Sequence, residues 1–175
     1  LDQDDPESIA LALASIRKHL GMEIAYLSEF VDDRSIFREV DAPGLEALIK
    51  VGDSNALDDV YCRHILEGRL PELMADTADH PLAVAMPITQ AAPIGAHMSV
   101  PLRLADGQVF GMFCCLSPHA HRPLNDRDLG LIRMFADLEA GQLSRPPAAA
   151  DRRRPLPPPA PQRVARPALP TPPPP

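Results

Sequence analysis

Cysteine is scarce and scattered. Three residues, an odd number with no Cys-x-x-Cys pair, cannot build a disulfide framework and fit a reducing compartment. No apolar run approaches the roughly 20 residues of a membrane-spanning helix; the longest are residues 9–16 and 109–116. The first five residues, Leu-Asp-Gln-Asp-Asp, are acidic where a secretory leader is basic. Basic charge is also short, with 17 Lys+Arg against 24 Asp+Glu and a net charge of −7, so binding to phosphate backbones is not expected. The chain has no Walker loop, GxGxxG, HExxH or GxSxG, which leaves no catalytic motif. These absences point to a cytoplasmic, non-enzymatic protein with no membrane or nucleic-acid partner. A first residue that is Leu rather than Met reads as a fragment or an unusual start codon, with flanking domains cut away.

Proline, by contrast, is abundant: 22 of 175 residues, where about 5% is usual. Thirteen of them fall in residues 146–175. The chain therefore divides into a domain, 1–145, and a proline-rich tail, 146–175, expected to be an extended, disordered linker. The tail has five Arg against one Asp, so with −7 for the whole chain the first 145 residues carry −11. About 145 residues can bury a core without disulfide or metal staples. Within the tail, Arg152-Arg153-Arg154-Pro155-Leu156-Pro157-Pro158 also fits the basic polyproline pattern read by Src-homology-3 type domains.

Periodicity supplies the elements. Asp5, Pro6 and Glu7 make an N-cap, an N1 proline and a first-turn acid. Ile9, Leu13, Ile16 and Leu20 follow at helical spacing until Gly21. Residues 22–31 alternate as a strand covered on both faces, and the turn Asp32-Asp33-Arg34 leads to an antiparallel strand, 35–40. The run Asp53-Ser54-Asn55 is expected to cap a helix ending at Gly68, with Leu57, Val60, Tyr61, His64 and Ile65 on its apolar face and Cys62 toward the flank. A short strand near 70–75 and a helical turn near 82–86 come next. Two almost continuously apolar runs, 96–104 and 108–117, flank Ala105-Asp106-Gly107 and read as a central hairpin. Asn125 caps a last helix, ending near Gly141, whose buried face is Leu129, Ile132, Phe135, Ala136 and Leu138. Helix, hairpin, short helices, hairpin, helix makes an α+β antiparallel sheet with the terminal helices on one face and the middle segment enclosing a pocket on the other.

Val60-Tyr61-Cys62-Arg63-His64-Ile65-Leu66-Glu67-Gly68-Arg69-Leu70-Pro71, Ala75-Asp76, Pro93-Ile94-Gly95-Ala96-His97-Met98-Ser99-Val100-Pro101-Leu102 and Gly107-Gln108-Val109-Phe110-Gly111-Met112-Phe113-Cys114-Cys115-Leu116 together resemble GAF domains. The likeness spans about residues 5–143 and is to the kind found in bacterial signalling proteins with GGDEF or EAL output domains. It implies a GAF-like, PAS-like sheet of about six strands, a pocket under the middle segment for an unknown small molecule, and a homodimer formed through the terminal helices. The output domain would lie in cis or in trans. The Asn-Lys-x-Asp-Glu motif of cyclic-nucleotide members is absent. Residues 77–94, where bilin members carry their attachment cysteine, contain none, which argues against covalent bilin. Haem stays open through His64 or His97.

The candidate ligand-binding residues are Tyr61, Cys62, His64, Arg69, His97, Ser99 and Cys115, in a pocket between strands 96–104 and 108–117 and helix 55–67. His97 and Ser99 form a polar row on a central strand, where a pocket wall and a structural role are both open. His64 reads either as a satisfied core histidine or as a ligand contact. Arg69 could hold an anion or pair with a carboxylate. Cys114 and Cys115, being consecutive in a strand, face opposite sides. His119 and His121 lack a third metal ligand at an evident spacing. Pro146-Pro147 stops the last helix, so an output partner would be reached by a tether or through the dimer surface. A second hypothesis is a thiol redox enzyme related to the GAF methionine sulfoxide reductases. It needs two sulfurs at disulfide distance, and the cysteine pattern of those enzymes is not reproduced here. A third is a dimerisation module without a ligand.

Overall fold

The N-terminal stripe forms α1, Pro6–Leu20, with Leu13, Ile16 and Leu20 buried. Gly21 ends it at a φ of +65°, a left-handed geometry that costs glycine no Cβ clash. The computed structural model describes residues 6–144, so the Asp5 cap and the tail, 146–175, lie outside the described residues. Strands β1, Ile24–Val31, and β2, Arg34–Asp41, form the first hairpin. Asp32 and Asp33 both take positive φ, 48° and 61°, as a two-residue turn requires to match the twist of the strands. Arg17 of α1 forms an ion pair with Asp41 and donates to the Met22 carbonyl, fixing the helix to this hairpin.

The sheet is completed by β3, Ser54–Ala56, β4, Leu73–Met74, β5, Ala96–Arg103, and β6, Val109–Ser117. The order is β3-β2-β1-β6-β5-β4, antiparallel throughout. Gly107 turns the second hairpin at a φ of +85°, with the Asp106 carboxylate accepting from the Gln108 amide at 2.9 Å. The last helix, α5, is Asp126–Leu143, opened by a capping box between Asn125 and Asp128. The α+β arrangement expected from the sequence is the one found. Period-2 alternation sorts the strands into two cores. Leu27, Met98, Val100, Phe113 and Cys115 meet Leu13, Ile16, Ile132 and Ala136 of the terminal helices. Ile24, Tyr26, Met112 and Cys114 meet the middle segment on the opposite face.

Four expectations are corrected. Residues 53–55 do not cap a helix; Ser54–Ala56 pairs with the edge of β2 in the register Ser35↔Asn55, held by Arg34, which donates to Ser54 Oγ at 2.9 Å. An open strand edge offers a row of unpaired amides and carbonyls that outcompetes a cap. The helix itself, α2, is only Tyr61–Leu66, preceded by a 3-10 turn at Leu57–Asp59. The turn expected at 82–86 is two helices, α3, Pro81–Ala85, and α4, Pro87–Ala91, each begun by proline, with Met86 extended between them because a residue before proline is driven out of the helical region. Helix α5 runs past Gly141 to Leu143. Leu138 is 60% exposed while Ala140 is buried, continuing the 129, 132, 136, 140 spacing.

The central seam is between β1 and β6. Their ladder runs from Ile24↔Leu116 to Leu27↔Phe113, and beyond it the Ser28 hydroxyl accepts from the Met112 amide at 3.3 Å. A Cβ on Gly111 would sit 1.7 Å from the Ser28 carbonyl oxygen. Gly111→Ala is therefore expected to lower stability by about 3 kcal/mol, as overpacking against backbone does, read as a fall in the urea midpoint. An unchanged midpoint would show that the seam can open to admit a methyl group.

Candidate functional site

A cavity of about 430 Å³ lies between the sheet and the middle segment. That is within the usual range for a small-molecule site, roughly 300–1,000 Å³. Its floor is Ile24 and Tyr26 of β1, Phe37 of β2, His97 of β5 and Leu116 of β6. Tyr61 and Cys62 of α2, Ile88 of α4 and Ile94 close it from above, and Leu48, Ile49 and residues 52–55 form the rim. The sequence placed the pocket over β5 and β6. The structure extends it toward β1 and β2, because β3 widens the sheet there and carries the loop before it over the floor.

Of the seven candidates, Tyr61, Cys62 and His97 line this cavity and four do not. With α2 starting at Tyr61, Cys62 turns inward at 3% exposure and His64 moves to the half-buried side. The His64 carbonyl accepts from the amides of Arg69 and Leu70, closing the helix end. Arg69 is exposed and pairs with Glu67, a neighbour two residues away. Ser99 shares the face of His97 but stands about 6.6 Å further along the strand, fully buried opposite Cys114. Cys115 faces the terminal helices, where burial pushes its thiol up to about 12 even though Arg17 pulls the other way.

His97 is 2% exposed, and its ring meets Tyr61 edge-on, centroids 4.8 Å apart at 89°. Its Nδ1 is buried without a hydrogen-bond partner. Burial with no compensating charge lowers its pKa to about 4, so the imidazole is neutral at pH 7. Thr89 Oγ1 donates to the Ala83 carbonyl at 2.5 Å, which leaves the Tyr61 hydroxyl as donor to Thr89. One chain of hydrogen bonds thus runs from the cavity wall through α4 to α3. Beneath the cavity, Cys114 packs in one cluster with Cys62 and Tyr26, and burial pushes the Cys114 thiol and the Tyr26 phenol well above their ordinary values. Tyr26 also packs edge-on to Phe37, at 4.8 Å and 65°.

Sequence reasoning passed over Tyr26, Phe37, Thr89 and the rim formed by Leu48, Ile49 and residues 52–55. Tyr26 was within reach, since the alternation of β1 already set it beside Ile24. The rim was not, because its position depends on β3 pairing with β2. Among the described residues no group of three or more His, Cys, Asp or Glu side chains is placed to hold a metal ion.

Comparison with known proteins bears on this arrangement. The GAF domain family matches residues 3–140. No curated protein matches the chain. Among solved structures, the chain is similar to the GAF-B domain of DevS from Mycobacterium smegmatis, at 18% identity, TM-score 0.57, over 78% of this chain and 90% of that one. It is similar to the GAF domain of an Acinetobacter phosphoenolpyruvate-protein phosphotransferase at 9% identity, TM-score 0.61, over 77% and 78%. A type II free methionine-R-sulfoxide reductase from Thermoplasma acidophilum aligns at 14% identity, TM-score 0.57, over 77% and 88%. At such identities the likeness is one of fold.

The neutral state of His97 carries a pH signature. Its folded pKa lies below that of the unfolded chain, so the unfolded state binds the extra proton between about pH 6.5 and 4. Stability falls as pH drops through that window, by about 3 kcal/mol in all, and levels off below it. His97→Phe removes this component; chemical denaturation at several pH values should show a flatter profile between pH 6.5 and 4. An identical slope in wild type and variant would place the proton uptake elsewhere.

Proposed function

The chain belongs to the GAF domain family, and from that footing we propose that it is a cytoplasmic sensory domain that binds a small molecule non-covalently and signals through a helical homodimer. The observation that carries this reading is the cavity of about 430 Å³ between sheet and middle segment, walled by Tyr61, Cys62 and His97. An occupant can act only through different affinities for two arrangements of the domain. The Tyr61–Thr89–Ala83 chain offers a physical link from the cavity to the outer helices α3 and α4. A dimer is supported by Leu11 of α1 and Met134 and Leu138 of α5, which are 69%, 53% and 60% exposed on helices that pack together on one face of the sheet. The output would be a GGDEF- or EAL-type domain, in cis or in trans, and the domain itself would catalyse nothing. Among the described residues no helix is long and apolar enough to cross a membrane.

A thiol redox enzyme is the second reading, favoured by the contact between Cys62 and Cys114. Two such thiols would reduce a sulfoxide to a thioether and water while forming a disulfide. Both are buried, and Cys114 resists ionisation, which weighs against a nucleophilic role.

Three measurements test these readings. A thermal-shift screen with metabolites, nucleotides and haem, alongside native mass spectrometry of fresh protein, should find at least one class that raises the melting temperature by several degrees. No stabilisation, no co-purifying mass and a filled cavity in a crystal structure together would end the sensory reading. Leu138→Glu should convert a dimer to a monomer in sedimentation; an already monomeric wild type removes the dimer. Turnover of free methionine sulfoxide that is lost in Cys62→Ser would favour the enzyme instead.

A further inference from the structure

We infer that the ligand of this cavity is uncharged and largely apolar, held by shape and a few neutral hydrogen-bonding groups, and that anionic metabolites are excluded from it. The inference rests on the sensory reading above and names the class of molecule sensed.

Among the described residues the lining contains no lysine and no arginine. The one charged residue among them is Asp53, an exposed carboxylate at the rim that repels an approaching anion. Two arginines of the same half of the sheet are neutralised by carboxylates, Arg38 by Glu29 and Arg63 by Asp33 and Asp58, and Arg34 is exposed, donating to the Ser54 hydroxyl and carbonyl without itself joining the lining. His97 could in principle become cationic, but its burial keeps it neutral at pH 7. An anion entering this space would lose its hydration and meet no counter-charge, a costly transfer that a built anion site avoids with Arg, Lys or a ring of amides. The acidic surroundings add to that cost.

Apolar contact is plentiful. Ile24, Phe37, Ile49, Ile88, Ile94 and Leu116 supply aliphatic and aromatic surface on floor and roof. Apart from Asp53 at the rim, the polar lining groups are neutral: Ser35 and Asn55, which face each other across the β2–β3 ladder, Ser54, which accepts from Arg34, Tyr61, whose hydroxyl is engaged with Thr89, and His97. Such a wall favours a ring-containing molecule with a single hydroxyl or carbonyl group, at the small end of the ligand size range.

The test uses two dyes that differ by one sulfonate group, N-phenyl-1-naphthylamine and its anionic sulfonate, 8-anilino-1-naphthalenesulfonate, titrated by fluorescence into the full chain. The neutral dye should bind at least tenfold more tightly. Ala92→Trp, which places an indole in the cavity, should weaken the neutral dye at least tenfold. Asn55→Lys, at the rim, should reverse the order in favour of the sulfonate. If the sulfonate or a nucleotide binds the unaltered protein as well as the neutral dye does, the uncharged class is overturned while a binding cavity stands. Neutral-dye binding that is indifferent to Ala92→Trp and Asn55→Lys lies outside the cavity and overturns it too. If no probe, charged or neutral, binds or stabilises the protein, the sensory reading falls together with this one.

Discussion

Everything in this domain hangs on the close approach of two strands that are far apart in sequence. β1 and β6 meet at the middle of the sheet, and at Gly111 the backbone of Ser28 occupies the space where a side chain would stand. The N-terminal hairpin and the C-terminal hairpin are each closed by a local turn, and neither pair of strands makes a stable sheet alone. The β1–β6 seam makes them one sheet, and only a joined sheet is wide enough to carry α1 and α5 on one face and the middle segment on the other. Where the ladder ends, the Ser28 hydroxyl takes over as acceptor for the Met112 amide, so that buried donor is not left open.

The cavity follows from how the middle segment is built. Residues between β2 and β5 form short pieces, a three-residue strand, a six-residue helix and two five-residue helices begun by proline. Short stiff pieces cannot pack as densely against a twisted sheet as one long helix can, and the space they leave is walled by Tyr61, Ile88 and Ile94. On the terminal-helix face, Leu13, Ile132 and Phe113 are fully buried together beneath two long helices. The asymmetry of the two faces is an asymmetry of element length.

How much was legible in the sequence depended on how local the deciding force was. Alternation in β1, β5 and β6, the Asp-Gly turn and the Asn125 cap are decided within a few residues, and they predicted the sheet and both terminal helices. The opposed orientation of Cys114 and Cys115 also followed from strand geometry alone. The misplacements around α2 share one origin: Asn55 joins a strand whose partner, Ser35, lies 20 residues away, and that pairing moves the start of α2 to Tyr61. With the start of the helix moved, Cys62 turns in while His64 turns toward the surface. Arg69 was read as a possible anion ligand from its residue type, but Glu67, close by in the chain, takes it. The membership of His97 in the cavity wall was visible in the polar row of β5; that Ser99 sits beyond the end of the cavity required knowing where the roof stops.

The strict two-sidedness of β5 and β6 has a consequence for how such a domain can diversify. His97 and Cys114 look toward the cavity, while Met98 and Cys115, their immediate neighbours in the chain, look toward the terminal helices. Side chains at one set of positions are thereby insulated from those at the other, although both are written in the same eight or nine residues of each strand. Substitutions at every second site can reshape the cavity without touching the core beneath the terminal helices. The two faces can drift independently on one scaffold.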